Sequence, residues 1–137
     1  MSAKGNTFEN DVVLLTFNAT AYSWNANGSL YIALHTADPG EAGNQQSSEC
    51  AFGSYARATV ARNSGGFTVS GDTASNTATI SFPECTSGSE TVTHVSIGTA
   101  SSGTGQILYK GSLTASRAVS SGITLQFAAG ALQVTEA

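Results

Sequence analysis

Most of this 137-residue chain is a series of short apolar runs separated by turn residues, and this pattern constrains the fold more than any other feature. From Asn27 onward, runs of strand length recur roughly every 8 to 14 residues. Segments such as Asp-Pro-Gly and Ser-Gly-Gly end these runs, because proline lacks a ladder donor and glycine accepts positive φ. The pattern predicts a mainly β protein, a single antiparallel β-sandwich that is either jelly-roll-like or Ig-like.

The predicted strands begin and end at these turn signals. They cover residues 30–36, 55–62, 67–69, 77–82, 92–97, 107–113, 122–127 and 131–135. The polar stretch 41–53 between the first two strands has no periodicity, so we expect a surface loop there.

The first segment of the chain has a different periodicity. Phe8, Val12 and Leu15 recur at helical spacing, which predicts one helix between residues 6 and 22, with a β-arm as the alternative. Asn6 is the expected N-cap, and Glu9 is its capping-box partner. We therefore divide the chain into an N-terminal helical docking segment, 1–26, and a β-sandwich domain, 27–137.

The N-terminal segment holds the candidate interface. We expect Phe8, Val12, Leu15 and Trp24 to contact a neighbouring protein while the sandwich faces outward. Trp24 is the only tryptophan and lies at the end of this segment, which favours a core or interface position over a ligand groove.

Charge and composition exclude several classes of partner. Only 10% of the residues are charged, the net charge is −4, and the five basic residues are scattered, so nucleic-acid binding is disfavoured. No apolar run approaches the roughly 20 residues of a membrane span, and no secretory leader is recognised. A reducing compartment follows, in which Cys50 and Cys85 are expected to be free thiols rather than a disulfide.

The residues of catalysis and metal binding are sparse. There is no Gly-x-Ser-x-Gly elbow, and the only histidines are His35 and His94. A dyad of His35 with Asp38 is conceivable, but we expect both residues to shape the turn, and His94 to be a half-buried strand residue. The cysteines lack zinc spacing. We predict no enzyme, no catalytic residue, no metal and no cofactor.

Several segments together resemble a known family. They are LYIALHTADPGEAG, SYARATVAR, GFTVSG, TISFPECTSGSETVTHVSIGTASSGTGQILYKGSLT and GITLQFAAGALQV, preceded by ENDVVLLTFNAT. In this order they resemble short virion structural proteins of tailed bacteriophages, usually labelled phage tail fibre proteins. The resemblance covers almost the whole chain. It implies a non-enzymatic protein of the virion, assembled in the host bacterial cytoplasm with other virion proteins as partners, and it transfers no catalytic residue.

The position in the particle is open to physical argument. A fibre obtains its length from coiled coils or repeats, and the chain has neither. We therefore expect a capsid decoration (cement) protein on the outer shell, a homo-oligomer of the kind that is often a trimer, bound to the major capsid protein. The alternatives are a tail-associated adaptor or tail fibre component that binds the host surface, and a carbohydrate-binding β-sandwich module.

Overall fold

The structure, a computed structural model, describes residues 3–136. Its one helix in these residues, α1, spans Asn6–Asn18. The strands are β1 (Ala3–Lys4), β2 (Ser29–His35), β3 (Ala58–Ala61), β4 (Phe67–Ser70), β5 (Thr73–Asn76), β6 (Ile80–Ser81), β7 (Ser89–Gly98), β8 (Ile107–Ser120), β9 (Gln126–Phe127) and β10 (Gln133–Thr135). The protein is mainly β with one N-terminal helix, as predicted.

The strands form three antiparallel sheets. The five-stranded sheet has the order β1-β8-β7-β2-β3, the three-stranded sheet β10-β5-β4, and β6 pairs with β9. The apolar runs of β2 and β7 lie at the centre, where Ile32 is opposite Ile97 and Leu34 is opposite Val95. These four side chains are buried on one face, because successive residues of a strand point to opposite faces.

The core lies between the five-stranded sheet and the smaller sheets. Ile32, Val60 and Ile97 of the large sheet belong to the same buried cluster as Ile80 and Val134 of the other two. This two-layered packing is the sandwich-like arrangement that the strand pattern predicts.

Three strand predictions differ from the structure. β8 continues to Ser120, seven residues beyond the predicted end, although residues 114–120 contain only one large apolar side chain, Val119. β5 occupies Thr73–Asn76, ahead of the strand predicted at 77–82, and only Ile80–Ser81 of that prediction is strand. Pairing with β4 and β10 on both sides supplies β5 with the order that its own sequence does not predict.

The helix also begins and ends differently from the prediction. The N-cap is Gly5, without a side-chain cap bond, so the prediction of Asn6 as N-cap is wrong. Backbone carbonyls satisfy the first donors instead, since Gly5 N–H bonds to Leu108 O (3.1 Å) and Asn6 N–H to Glu41 O (2.8 Å). The helix ends at Asn18, four residues early, because Ala19 adopts a left-handed conformation (φ 54°). Among residues 3–136 there is no helix that is long and apolar enough to cross a membrane.

The segment 41–53 is irregular as predicted, but it is not simply a surface loop. Gln45, Cys50 and Phe52 are buried, and Cys50 N–H donates to Leu34 O at the end of β2 (2.9 Å). Gln45 Oε1 accepts a bond from Ala100 N–H (3.0 Å), and its side chain fills the space that a Cβ at Gly98 would need. The part of the loop around Gln45 therefore covers the outer face of the large sheet, whereas Cys50 and Phe52 join the core.

Candidate functional site

The N-terminal segment is fixed to one edge of the large sheet. Ala3 pairs with Lys110 and Lys4 with Tyr109, so β1 extends the sheet beyond β8. The helix α1 follows at once and packs on β8. Residues 3–26 of the docking segment predicted for 1–26 thus lie against the sandwich, residues 1–2 lie outside the described residues, and the docking role remains a prediction.

An aromatic cluster forms where α1 meets the sandwich. The rings of Tyr22 and Trp24 stack at 4.6 Å with an interplanar angle of 6°. Phe8 lies 5.7 Å from Tyr22, 5.9 Å from Trp24 and 5.4 Å from Tyr109, in tilted or edge-on geometries. The guanidinium of Arg62 sits over the Trp24 ring, 4.7 Å from its centroid, as a cation–π contact. This cluster, which we call the aromatic cluster, anchors the helix to its own chain.

The four predicted interface residues therefore differ in what they can contact. Phe8 is only 6% exposed, so its predicted role as an interface residue is corrected to internal packing. Trp24 and Val12 are half-buried, and Leu15 is 41% exposed. These three retain surface for a partner, and their docking role stays a prediction.

The most exposed apolar side chains of the helix lie on the opposite face. Phe17 is 79% exposed and Val13 is 54% exposed. Phe17 is nine residues from Phe8, which is a rotation of about 900°, or half a turn beyond two full turns. Together with Glu9 these residues form a line at i, i+4 spacing, which we call the outer stripe. Sequence reasoning missed it by following only the period of Phe8. The available signal was that residues 12–17 place apolar side chains on every side of the helix, which indicates a second apolar face.

An apolar groove opens beside the aromatic cluster. Its floor includes Phe8, Trp24, Phe67 and Val134, and its volume is about 380 Å³. Val69 stands at its wall, 72% exposed. The charged side chains at its margin are Arg62, Asp72 and Glu136. We call this feature the apolar groove.

The buried histidine belongs to a different constellation from the predicted one. His35 Nε2 lies 2.7 Å from Ser96 Oγ, and His35 Nδ1 lies 2.8 Å from Ser47 O. Asp38 does not join them, because it accepts a bond from Gly40 N–H (2.9 Å) and pairs with Lys110 Nζ (3.0 Å). Asp38 therefore shapes the turn as predicted, whereas His35 holds the 41–53 loop. His94 is half-buried in β7, as predicted.

The Ser96–His35 pair resembles a catalytic dyad in spacing only. Both side chains are fully buried, so a substrate has no access to the hydroxyl. Burial lowers the pKa of His35, with Arg57 and His94 acting in the same direction and Ser47 O and Glu49 opposing it. A neutral imidazole that accepts from Ser96 and donates to Ser47 satisfies all three groups.

A second buried polar network lies under the same loop. Glu49 accepts two bonds from the Arg57 guanidinium, at 2.7 and 2.9 Å, and one from Tyr55 Oη at 2.7 Å. Arg57 also donates to Ala100 O at 2.9 Å and to Gly103 O. Burial and the Glu49 bond raise the pKa of Tyr55 far above its usual value. No sequence pattern predicts this network, since its members meet only in the folded chain.

Both cysteines are free thiols, as predicted, and both are buried. Burial raises the pKa of Cys50 to about 12, and the carboxylates of Glu90 and Glu49 add to the rise. A thiol of this kind is a poor nucleophile and a poor metal ligand at neutral pH. Within residues 3–136 no group of histidine, cysteine and carboxylate side chains could hold a metal ion.

Comparison with known proteins agrees with the resemblance drawn from the sequence. No curated protein sequence matches the chain. A protein-family model described as podophage GP4 fiber I protein gp80 matches residues 3–135, which is nearly the whole chain and includes α1, the aromatic cluster and every strand. The chain therefore belongs to this family of phage fibre structural proteins.

Proposed function

We propose that the protein is a tail-associated fibre component of the virion, an adaptor or tip rather than a shaft. The observation that carries the proposal is the match of a fibre-protein family over residues 3–135. This match favours the tail as the location of the protein. The length of the chain alone had favoured the capsid surface.

Size decides which part of a fibre the chain can form. A folded domain of 137 residues has a radius of gyration of about 14 Å, so one copy is short beside any phage tail. Neither a heptad nor a fixed repeat is present to lengthen it. The protein therefore acts as a compact unit that joins other virion proteins or several copies of itself.

The contact with those partners is proposed to use the outer stripe. Val13 and Phe17 are exposed on a helix that the aromatic cluster holds in place. A preformed apolar surface of this kind loses little conformational entropy when a partner covers it. We place assembly in the host cytoplasm, where the buried thiols of Cys50 and Cys85 remain reduced.

The protein is proposed to act without catalysis or sugar binding. The Ser96–His35 pair has no access to solvent, which supports the first part. For the second, Trp24 is covered by Tyr22 stacked on its ring and by Arg62 over it, which leaves little aromatic face for a sugar. Hydrolytic activity that disappears in His35→Ala but persists in His94→Ala would contradict the non-catalytic role.

Position in the particle is tested by copy number and labelling. We expect quantitative mass spectrometry of purified virions to give a few dozen copies or fewer, and gold-labelled antibody to bind the tail. Hundreds of copies, with label over the head, would overturn the tail proposal and establish capsid decoration instead. Tails separated from heads provide the matched control, since a fibre component must remain with the tails.

A further inference from the structure

We propose that the outer stripe of one copy docks into the apolar groove of a second copy, in a head-to-tail contact. This inference rests on the proposed function in one respect, that a fibre component assembles from several copies. The occupant of the groove is thus a segment of this same chain, Glu9–Phe17 of a neighbouring molecule.

The first support is the position of the exposed apolar side chains. The three most exposed large apolar side chains of residues 3–136 are Phe17, Val69 and Val13. Two lie on the outer stripe and one on the wall of the groove. A single contact covers all three, whereas soluble monomers rarely leave such groups uncovered in patches.

The second support is the match of shape. The side chains of Val13 and Phe17 project from successive turns of α1 and form a short ridge. The groove, at about 380 Å³, lies at the small end of the range of roughly 300–1,000 Å³ found for ligand sites. This is room for one or two side chains and not for a whole helix, so the ridge enters and the helix backbone stays outside.

The third support is complementary charge. Glu9 occupies the stripe one turn before Val13, and among residues 3–136 it has no ion pair. Arg62 lies at the margin of the groove and has no carboxylate partner among the same residues, since its bonds go to Asn25 O and Asn27 O. The rim also carries Asp72 and Glu136, the latter paired with Lys4, so the favoured orientation of the helix is the one that sets Glu9 beside Arg62 and away from these carboxylates.

Geometry prevents the contact from forming within one chain. Phe8 faces the groove, and Phe17 faces away from it on the other side of the same helix. The stripe and the groove are therefore two different surfaces, and each copy presents both. A contact between different surfaces is heterologous. Repeated from copy to copy, it forms a ring if the rotation between neighbouring copies closes, and an open row of copies if it does not.

The test uses two complementary variants of the full chain. Phe17→Lys disables the stripe by placing a charge on the ridge that enters the groove, while Val69→Glu disables the groove by placing a charge on its apolar wall. Ile123→Lys is the matched control, because Ile123 is 41% exposed and lies outside both surfaces. Circular dichroism checks that all three variants keep the wild-type fold.

Sedimentation velocity then measures association. We expect the wild type and Ile123→Lys to associate, and each of the other two variants to associate at least about tenfold more weakly. An equimolar mixture of Phe17→Lys and Val69→Glu should form dimers and nothing larger, because each variant retains one working half of the contact. Glu9→Lys should weaken association by a smaller factor that shrinks at high salt.

Several results would overturn the proposal. A wild type that stays monomeric at high concentration, or a mixture that stays monomeric, excludes the head-to-tail contact. Normal association of Val69→Glu beside failure of Phe17→Lys would show two helices meeting each other instead. The two proposals can fail separately. If the antibody labels the head and the mixture of variants forms dimers, only the tail position is excluded. If the antibody labels the tail and the mixture stays monomeric, only this contact is excluded.

Discussion

Two regions beside the large sheet, the 41–53 loop and the helix α1, treat their side chains in opposite ways. Under the 41–53 loop, polar groups are fully buried and each has a partner, as with His35 between Ser96 and Ser47. At α1, by contrast, large apolar groups such as Phe17 are left in solvent. The first region stabilises the fold at the cost of polar groups that must stay paired. The second region gains nothing for the isolated chain, in line with the proposed role of Phe17 in a contact between molecules.

The sharpest way to break this comparison uses the two faces of α1. Phe8→Ala removes a buried ring from the aromatic cluster and should lower the free energy of unfolding by about 3–5 kcal/mol. Phe17→Ala on the opposite face should change it by less than about 0.5 kcal/mol, measured at a concentration where the protein is monomeric. Urea unfolding followed by tryptophan fluorescence gives both values, and similar losses for the two variants would show that the outward face is not free.

The polar side of the comparison is tested at Arg57. Arg57→Ala removes a buried guanidinium from Glu49, whose side chain is only 14% exposed, and should cost about 3–5 kcal/mol. Arg117→Ala is the control, since Arg117 is exposed in β8 and has no ion pair among residues 3–136. A loss below about 1 kcal/mol for Arg57→Ala would mean that water replaces the guanidinium and that the loop is less sealed than described.

The buried histidine predicts how stability depends on pH. Because the folded state holds the pKa of His35 below its ordinary value of 6.5, the unfolded chain binds a proton first as the pH falls. Stability should be complete above about pH 7 and decrease from there downward, by at most about 1.4 kcal/mol per pH unit. The carboxylates of Asp38 and Glu136, whose pKa values are lowered, add losses only at more acidic pH.

Thermal melts between pH 8 and pH 5 measure this effect. In His35→Gln the slope over that range should flatten, even if the variant is less stable at every pH. His94→Gln, in the half-buried neighbour, should keep most of the wild-type slope. Equal slopes in wild type and His35→Gln would assign the dependence to other groups.

The smallest expected effect concerns the clamp between the two ends of the described chain. Glu136 accepts bonds from Lys4 Nζ and Tyr109 Oη, and its side chain is 47% exposed. Glu136→Gln should cost less than about 1 kcal/mol, since exposed ion pairs are weak and screened by salt. Hydrogen exchange of the Gly5 and Asn6 amides would detect loosening of β1, and Glu84→Gln provides a control at an exposed carboxylate.

Local pattern made about half of this architecture predictable. β2 and β7 follow from apolar runs that lie at the centre of a sheet, and α1 follows from the spacing of Phe8 and Val12. The second half of β8 did not follow, because residues 114–120 contain no apolar run; residues 117–120 are held by pairing with residues 89–92 of β7. The N-cap was misplaced because its donors are satisfied by Leu108 and Glu41, far away in sequence.

The proposed interaction surface lies in the N-terminal segment, but its orientation on the helix was not predictable from the sequence. The N-terminal segment was identified, yet Phe8 and Trp24 proved to belong to the aromatic cluster. A helix with apolar residues on every side gives no sequence signal for which face turns inward. That choice depends on Tyr109 of β8, which meets Phe8, and on Arg62 just after β3, which meets Trp24, and both contacts form only in the folded chain.

The half-turn between Phe8 and Phe17 gives any assembly of this chain a polarity. If copies join stripe to groove, every row has one end with a free ridge and another with a free pocket, and the two ends are chemically distinct. A particle can then attach one end to its body and leave the other facing outward without a second gene product to mark direction. The length that one copy lacks is then set by the number of copies added.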